Sequence, residues 1–482
     1  MPKSRGSLGR LLGTLFAPRD GVHVRDRVDL RFDRGTLRIQ GARADDIPFA
    51  VWDDRVSSWR APAHRYAAIV ERVTSSGADL HDVIAPRLCA SVSPWSPPEL
   101  RSYQRDALHA WQAFRCRGLV ALPTGSGKTI VAVAALASVR RPALVVCPTR
   151  ALLEQWENQL TRFYSGPIGV VGDGARRVEA VTVMTFESAY RQLDAIGDRF
   201  AMLVVDEAHH FSSGFRAEAL EMCVAPIRLG LTATAPDAGS EAERCLQELI
   251  GPLVCEVAVG ELLGLHLANL EVVRLAVRLE PDEMDAYQRN YRPFAELRDA
   301  FSRANPGADW PSMVRAIAHT PAGRAALSGY RRAVALASFP RAKRSLLGTL
   351  LKRHGKDKSL VFTSCTEDAY AVALEHLVPV LTAETSRSER RELLDRFRDG
   401  RYRTLVSAQV LNEGLDVPDA SIAIIVAGRF GAREHVQRIG RVLRPAPGKV
   451  AIAYELATRG TVDDARARAR WRRLAARRAA SV

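Results

Sequence analysis

The sequence predicts an α/β protein with two parallel-sheet units, a small α+β unit ahead of them and a helical insertion between them. Short apolar runs, each ending in a polar motif, carry that expectation. They lie at Gly118–Leu122, Ala143–Cys147, Met202–Val205 and Arg228–Leu231, and the same texture returns at Ser359–Phe362, Thr404–Val406, Ile422–Val426 and Val450–Tyr454. Continuous apolar runs fit strands buried on both faces, and helix-length segments such as Ile130–Val139 supply the crossovers that parallel strands need. Earlier in the chain, within residues 21–94, polar and apolar positions alternate at Val28–Leu30–Phe32 and Leu37–Ile39, as in half-buried strands.

The Ser/Pro-rich stretch Ser91 to Pro98 reads as a boundary, and roughly 260–345, richer in charge and aromatics, reads as mostly helical. The organisation expected is residues 1–94 as the N-terminal unit, 95–260 as the first α/β unit, 261–345 as a linker with the helical insertion, 346–462 as the second α/β unit, and 463–482 as a basic tail. Arg466 to Arg478 holds seven arginines and reads equally as a solvated terminus or a nucleic-acid contact.

A chain of 482 residues suggests about three domains at about 150 residues each. Its 47% hydrophobic and 26% charged residues belong to a globular chain and exclude disorder as the default. Lys plus Arg number 69 against 54 acids, a formal charge of +15. That surplus favours a polyanionic partner, because neutralising phosphates releases condensed counterions; a solvated basic surface accounts for the same balance. Seven cysteines without a Cys-x-x-Cys pair fit reduced, structural thiols of a cytoplasmic protein and give no zinc or iron–sulfur site. Lys3, Arg5 and Arg10 precede an apolar run from Leu11 to Ala17, but Gly13 and Thr14 interrupt it and no targeting segment is read there. No window approaches the roughly 18 apolar residues that span a bilayer.

The chemistry begins at Leu122-Pro-Thr-Gly-Ser-Gly-Lys-Thr129, between an apolar run and a helix-like segment. Gly125 and Gly127 let backbone N–H groups, Ser126 included, close on a phosphate at a helix N-terminus whose dipole favours anions. Lys128 would reach the β- and γ-phosphates and Thr129 would ligate Mg²⁺. Leu122 stands where the general P-loop pattern has Gly. Farther on, Met202-Leu-Val-Val-Asp-Glu-Ala-His-His210 is an apolar run ending in two acids. A carboxylate at the end of a buried strand is costly without a cation, so Asp206 is assigned to Mg²⁺ and Glu207 to the attacking water. His209 and His210, adjacent and expected to diverge, read as structural or coupling residues.

Further motifs follow in order. Arg101-Ser-Tyr-Gln104 resembles the adenine-reading Q motif, Pro148-Thr-Arg150 motif Ia, Thr185-Phe-Glu-Ser188 motif Ib, and Thr232-Ala-Thr234 motif III. Val361-Phe-Thr-Ser364 resembles motif IV, Gln409 to Pro418 motif V and Gln437 to Arg444 motif VI, with Asp206-Glu-Ala-His209 as a DEAH box. Together they resemble the superfamily 2 helicases. Asp54-Arg-Val, Trp59-Arg-Ala-Pro-Ala, Arg65-Tyr, Ala225-Pro-Ile-Arg-Leu-Gly-Leu-Thr-Ala-Thr234, Asp416-Val-Pro-Asp-Ala420 and Tyr454-Glu-Leu are similar to the XPB/Rad25-like DNA repair helicases in their compact archaeal and bacterial form.

That resemblance implies two RecA-like motor domains, a small damage-recognition-like N-terminal domain and a helical thumb, for which residues 280–335 are the candidate. ATP and Mg²⁺ would be the cofactors, ATP lying between the halves. Arg101, Gln104, Gly414, Asp416 and Gln437 would join the nucleotide site, and Arg441 and Arg444 would serve as arginine fingers. Thr149, Arg150, Thr185 and Thr363 would hold the nucleic-acid backbone without reading its sequence. The implied activity is ATP-dependent DNA translocation or unwinding, 3′ to 5′, in repair, on single-stranded or junction DNA, with a nuclease as protein partner. An RNA-directed or restriction-type translocase, or a binding scaffold with weak ATPase, stands as the alternative; intact Lys128, Glu207 and Arg441 argue against the scaffold. Two departures are visible: Ala235 to Arg244 lacks the Arg-Glu-Asp element tied to strand separation, and Asn412 replaces a frequent acid.

Overall fold

Alternation builds the first sheet, as expected. β1 (Arg27–Asp33) and β2 (Thr36–Gln40) form a hairpin whose two-residue turn, Arg34-Gly35, has positive φ at both positions, 48° and 78°. Both central residues of a type I′ hairpin need that conformation, which glycine adopts without strain. With β3 (Val51–Asp53), β4 (Ser58–Pro62) and β5 (Asp79–Asp82) the order is β3-β4-β2-β1-β5, antiparallel except for the β1–β5 pair. Val28, Leu30, Leu37 and Ile39 point to one face and pack with Ile69, Val70 and Val73 of the helix Tyr66–Ser75. Ala201 and Val224, from farther along the chain, complete the same core.

The computed structural model describes residues 27–41, 47, 49–211, 215–257, 259–262, 269–382, 384–408, 420–427 and 450–469. The chain divides into two compact units between Val259 and Gly260. The first unit holds the sheet above and an eight-stranded sheet of order β13-β6-β12-β11-β7-β10-β8-β9. Its strands are β6 (Arg117–Ala121), β7 (Ala143–Cys147), β8 (Ile168–Gly172), β9 (Ala175–Arg177), β10 (Val181–Thr185), β11 (Met202–Val205), β12 (Ile227–Thr232) and β13 (Leu253–Glu256). All neighbours are parallel except β8 and β9. β7, β10, β11 and β12 are buried at every position, the burial that the apolar runs of β7, β11 and β12 require.

Arg228 is the exception inside those runs. Its side chain is wholly buried in β12 with carbonyls for partners: Nε donates to Ala225 O at 2.9 Å, Nη1 to Leu249 O at 2.6 Å and Leu220 O at 3.2 Å, and Nη2 to Cys223 O and Leu220 O. The helices Phe215–Glu221 and Glu241–Leu249 both end there, where terminal carbonyls have no N–H of their own helix to meet. Burial lowers the guanidinium pKa to about 9, which leaves it charged at neutral pH.

The Ser/Pro-rich stretch proves to be pinned. Trp95, 7% exposed, packs on Tyr164 with ring centroids 4.6 Å apart, and Ser96 N donates to Phe163 O at 2.8 Å. Composition alone could not show this, because one indole outweighs several loop-forming neighbours. Arg87 also ion-pairs with Asp198, tying the N-terminal sheet to the larger one.

The second unit is a six-stranded, all-parallel sheet of order β14-β19-β18-β15-β17-β16. Its strands are β14 (Asn269–Val277), β15 (Ser359–Thr363), β16 (Val380–Leu381), β17 (Thr404–Ala408), β18 (Ile422–Ile425) and β19 (Val450–Thr458). Roughly 260–345 is mostly helical, as read, but the sequence reading did not contain β14; it is an edge strand paired, among the described residues, only with β19, and half-buried edges lack the apolar run that marks a central strand. The helical insertion follows as Pro281–Ala304, Trp310–Ala318 and Pro321–Ser338, the last two capped by Asp309 and Thr320 side chains. Phe294, Met313, Ile317 and Ala326 form its core, with the Phe294 and Tyr330 rings 4.2 Å apart.

Lys343, in the helix Arg341–Arg353, ties this unit together: buried completely, it donates to Asp463 Oδ2 at 2.8 Å and to Val426 O at 2.6 Å. Lys343→Met keeps the volume and leaves the Asp463 carboxylate buried without its cation. The expected loss is about 3–5 kcal/mol, read as a lower denaturant midpoint for this unit's transition.

Candidate active site

The loop after β6 is shaped before any ligand is considered. Leu122 N donates to Thr232 O at 3.0 Å, and the Leu122 side chain is buried, so this position anchors the loop against the end of β12. Ser126 N and Oγ both donate to Pro123 O, at 3.2 and 2.6 Å. Gly125 and Gly127 turn the chain at φ 86° and 82°, in the left-handed region that disfavours side chains. The helix Lys128–Val139 starts there, and its first-turn N–H groups have no carbonyl of their own helix to meet. Gly125, Gly127, Lys128 and Thr129 are half-buried.

Two side chains from the helix Ser102–Ala113 hold the loop from outside. Tyr103 OH donates to Ser126 O at 2.6 Å and Gln104 Nε2 to the same oxygen at 2.7 Å, while Gln104 Oε1 accepts from Arg101 N at 3.0 Å. Both ends of the Gln104 amide are thus engaged within the protein. A Cβ on Gly127 would stand 2.5 Å from Gln104 Nε2.

The acids leave β11 beside this loop. Asp206 N donates to Val146 O at 2.9 Å; Asp206 Oδ1 accepts from Glu207 N at 2.9 Å and Oδ2 from Trp156 Nε1 at 2.8 Å. Burial and the Glu207 charge push the Asp206 carboxyl above its ordinary range, while Lys128 and the Trp156 N–H pull it down. Glu207 takes φ 47°, a conformation that costs a side chain about 1–3 kcal/mol. Among the described residues its Oε2 is buried without a hydrogen-bond partner, as is Thr124 Oγ1. His209 Nδ1 lies 3.6 Å from Glu207 Oε2 and 3.3 Å from Thr232 Oγ1, linking the acids to the Thr232-Ala-Thr234 turn. The rings of His209 and His210 are 4.2 Å apart and do not diverge as expected, because the backbone there is a tight turn, Ala208–Phe211.

Turning glycines, a helix N-terminus, a lysine near a buried acid, and two buried oxygens without a hydrogen bond among the described residues fit a phosphate chain with its divalent cation. The structure brings Gln104, Gly125, Ser126, Gly127, Lys128, Thr129, Asp206 and Glu207 to one end of the sheet. Arg101 starts the helix that carries Gln104 and is exposed. Thr149 stands just beyond the end of β7 and Thr185 is the last residue of the neighbouring β10; each hydroxyl caps a helix, accepting from Leu152 N and Ser188 N at 3.3 Å. Arg150 is exposed and paired with Asp173 at 2.9 Å. Thr363 belongs to the second unit; it is wholly buried and its hydroxyl donates to Cys365 O at 3.0 Å. Gly414, Asp416, Gln437, Arg441 and Arg444 lie outside the described residues.

Tyr103, Thr124 and Trp156 were missed in the sequence. Trp156 shares a helix face with Leu152, Leu153 and Leu160, a pattern identical to that of a core-filling aromatic; no signal in the sequence separates the two.

Comparison with known proteins agrees with this geometry. Residues 97–237 match the family described as type III restriction enzyme, res subunit; residues 342–446 match the helicase conserved C-terminal domain. Residues 30–84 match the xeroderma pigmentosum group B helicase damage recognition domain. A DNA 3′-5′ translocase XPB2 of Sulfurisphaera tokodaii is 32% identical over 90% of this chain and 98% of its own length. The chain belongs to the XPB family. A putative DNA 3′-5′ helicase Rad25 of Halobacterium salinarum is 30% identical over 78% of this chain, and a DNA 3′-5′ helicase XPB of Mycobacterium tuberculosis 28% over 76%. Of these two longer proteins the chain spans 57% and 62%. Within the XPB family member described here, the matched C-terminal helicase region includes the second-unit motifs named above.

Gly127→Ala tests the loop. The φ of 82° and the approach to Gln104 both oppose a methyl group. If the loop leaves this shape to escape about 1–3 kcal/mol of backbone cost, nucleotide affinity measured with a fluorescent ATP analogue should fall about tenfold or more, with the melting temperature lowered by no more than a few degrees.

Proposed function

We propose that the chain is an ATP-driven DNA translocase and helicase of 3′ to 5′ direction that serves DNA repair. Family membership supports the reading, and the observation that carries it is the meeting of the Gly125–Thr129 loop with Asp206 and Glu207 at one sheet end. The N–H groups of the loop and the Lys128 ammonium bind the β- and γ-phosphates of ATP. Thr129 and Asp206 hold Mg²⁺, which supplies neutralisation of charge on the phosphates. Glu207 Oε2, buried with an open acceptor, orients the water that attacks. Tyr103 and Gln104 keep the loop in its binding shape, a role that does not require Gln104 to touch adenine.

DNA contacts fall to the helix starts after β7 and β10, with Thr149 and Thr185 as caps and Arg150 as the exposed cation. Phosphate contacts of that kind position a strand and carry no sequence information. Thr363 acts by holding the turn after β15.

Lys128→Ala should abolish ATP turnover in a folded chain, and Glu207→Gln should retain ATP binding while turnover drops about 10²–10⁴-fold, the range for losing a proton-transfer group. Wild-type-like hydrolysis in either variant, measured by phosphate release, counts against the assignment.

The segment that lacks the Arg-Glu-Asp element is here a helix start: Ser240 Oγ accepts from Glu243 N at 3.1 Å and Glu243 Oε2 from Gly239 N at 2.6 Å. The Ser240 and Glu243 side chains are thereby engaged in capping. ATPase and unwinding measured in parallel on single-stranded DNA, duplex DNA and RNA should therefore show DNA-stimulated hydrolysis with weak unwinding of long duplexes by the protein alone. Stimulation by RNA equal to that by DNA would defeat the DNA reading.

A further inference from the structure

Asp206 is held by a bond that the motif pattern does not contain. The Trp156 indole N–H donates to its Oδ2 at 2.8 Å, and both groups are buried, at 1% and 5% exposure. An ionised carboxylate offers about four lone-pair sites on its two oxygens. Trp156 and Glu207 N occupy one site on each oxygen, fixing the carboxylate plane and leaving the remaining lone pairs for a cation.

Trp156 stands on the helix Arg150–Thr161, which begins with the Thr149 cap and Arg150. Leu152, Leu153 and Leu160 seat that helix in buried surroundings. Arg150 and Trp156 are separated by about 9 Å of helix rise, so one rigid element carries a candidate phosphate contact at its start and the donor to Asp206 in its second turn. A hydrogen bond at 2.8 Å is lost when the heavy atoms part by less than about 1 Å. A small displacement of the helix is therefore felt at the carboxylate.

We propose that Trp156 is a positioning residue for Asp206, and that its helix transmits nucleic-acid contact at Thr149 and Arg150 to the metal site. This rests on the ATPase reading given above. Were Trp156 only a filler of the core, its ring volume would matter and its N–H would not.

Trp156→Phe retains an aromatic ring and removes the donor. Without nucleic acid, the Mg²⁺ concentration for half-maximal ATPase should rise about 10- to 100-fold, the usual effect of deleting a group that orients a metal ligand, while KM for ATP at saturating Mg²⁺ stays near the parent value. With single-stranded DNA, the stimulation factor should fall towards one. A second readout needs no turnover: in the parent chain with ADP, the Trp156 indole N–H resonance should shift when Mg²⁺ is added. The chain has seven tryptophans, so that resonance is assigned by its loss in Trp156→Phe or, if that variant does not fold, by Trp→Phe changes at the others. An unchanged Mg²⁺ requirement in the folded variant, or an indole resonance indifferent to Mg²⁺, overturns the positioning role. Full DNA stimulation in the variant overturns transmission. A parent ATPase that DNA does not stimulate defeats the functional reading instead, and the Mg²⁺ experiments, made without DNA, still stand.

Discussion

A strand buried on both faces can place a polar side chain cheaply only where it leaves the sheet. β7, β10, β11 and β12 follow that constraint apart from Thr182 and Arg228: their interiors are closed to water, and Thr149, Thr185, Asp206 and Thr232 stand at or just beyond their ends. Because the strands are parallel, those ends lie on one edge, and ligand-binding groups in open α/β sheets gather there. The loop, the acids and the helix starts are neighbours for that reason. Arg228 shows what a polar group inside a strand demands: the carbonyls of two helix ends turned inward to receive it.

Much of this was legible in the residues. Every apolar run marked a strand, within a residue or two at most ends, because burial on both faces leaves a composition that few other structures share. Gly125, Gly127 and the Asp206-Glu207 pair were equally plain, since the need for positive φ and the cost of a buried carboxylate restrict residue choice. The edge strand β14 was not, because a half-buried strand in a charged region has no comparable mark. Nor were the bonds from Tyr103, Gln104 and Trp156, which join residues 23, 22 and 50 positions apart in sequence. Pattern reading finds groups that must be of one type; it does not find a donor whose residue type would suit the core as well.

The site is held by supports of different kinds. Ser126 O is fixed by two side chains from a preceding helix, and Glu207 is kept in a costly backbone conformation by the packing around it. His209 spans the distance between the acid turn and Thr232, and Thr232 O in turn receives Leu122 N from the base of the loop. These contacts run from the acids through His209 and Thr232 to the base of the loop, so the three segments meet in one polar path at the sheet end.

The shared core of the N-terminal sheet bears on how the chain can be treated as parts. Ala201 and Val224 lie in that core although they belong to the neighbouring α/β layer, and Trp95 is seated on Tyr164. Cutting at Ser91 to Pro98 would follow the composition and yet strip a common apolar seam from both sides. A graft of this N-terminal sheet onto another motor would have to bring apolar positions matching Ala201 and Val224 with it.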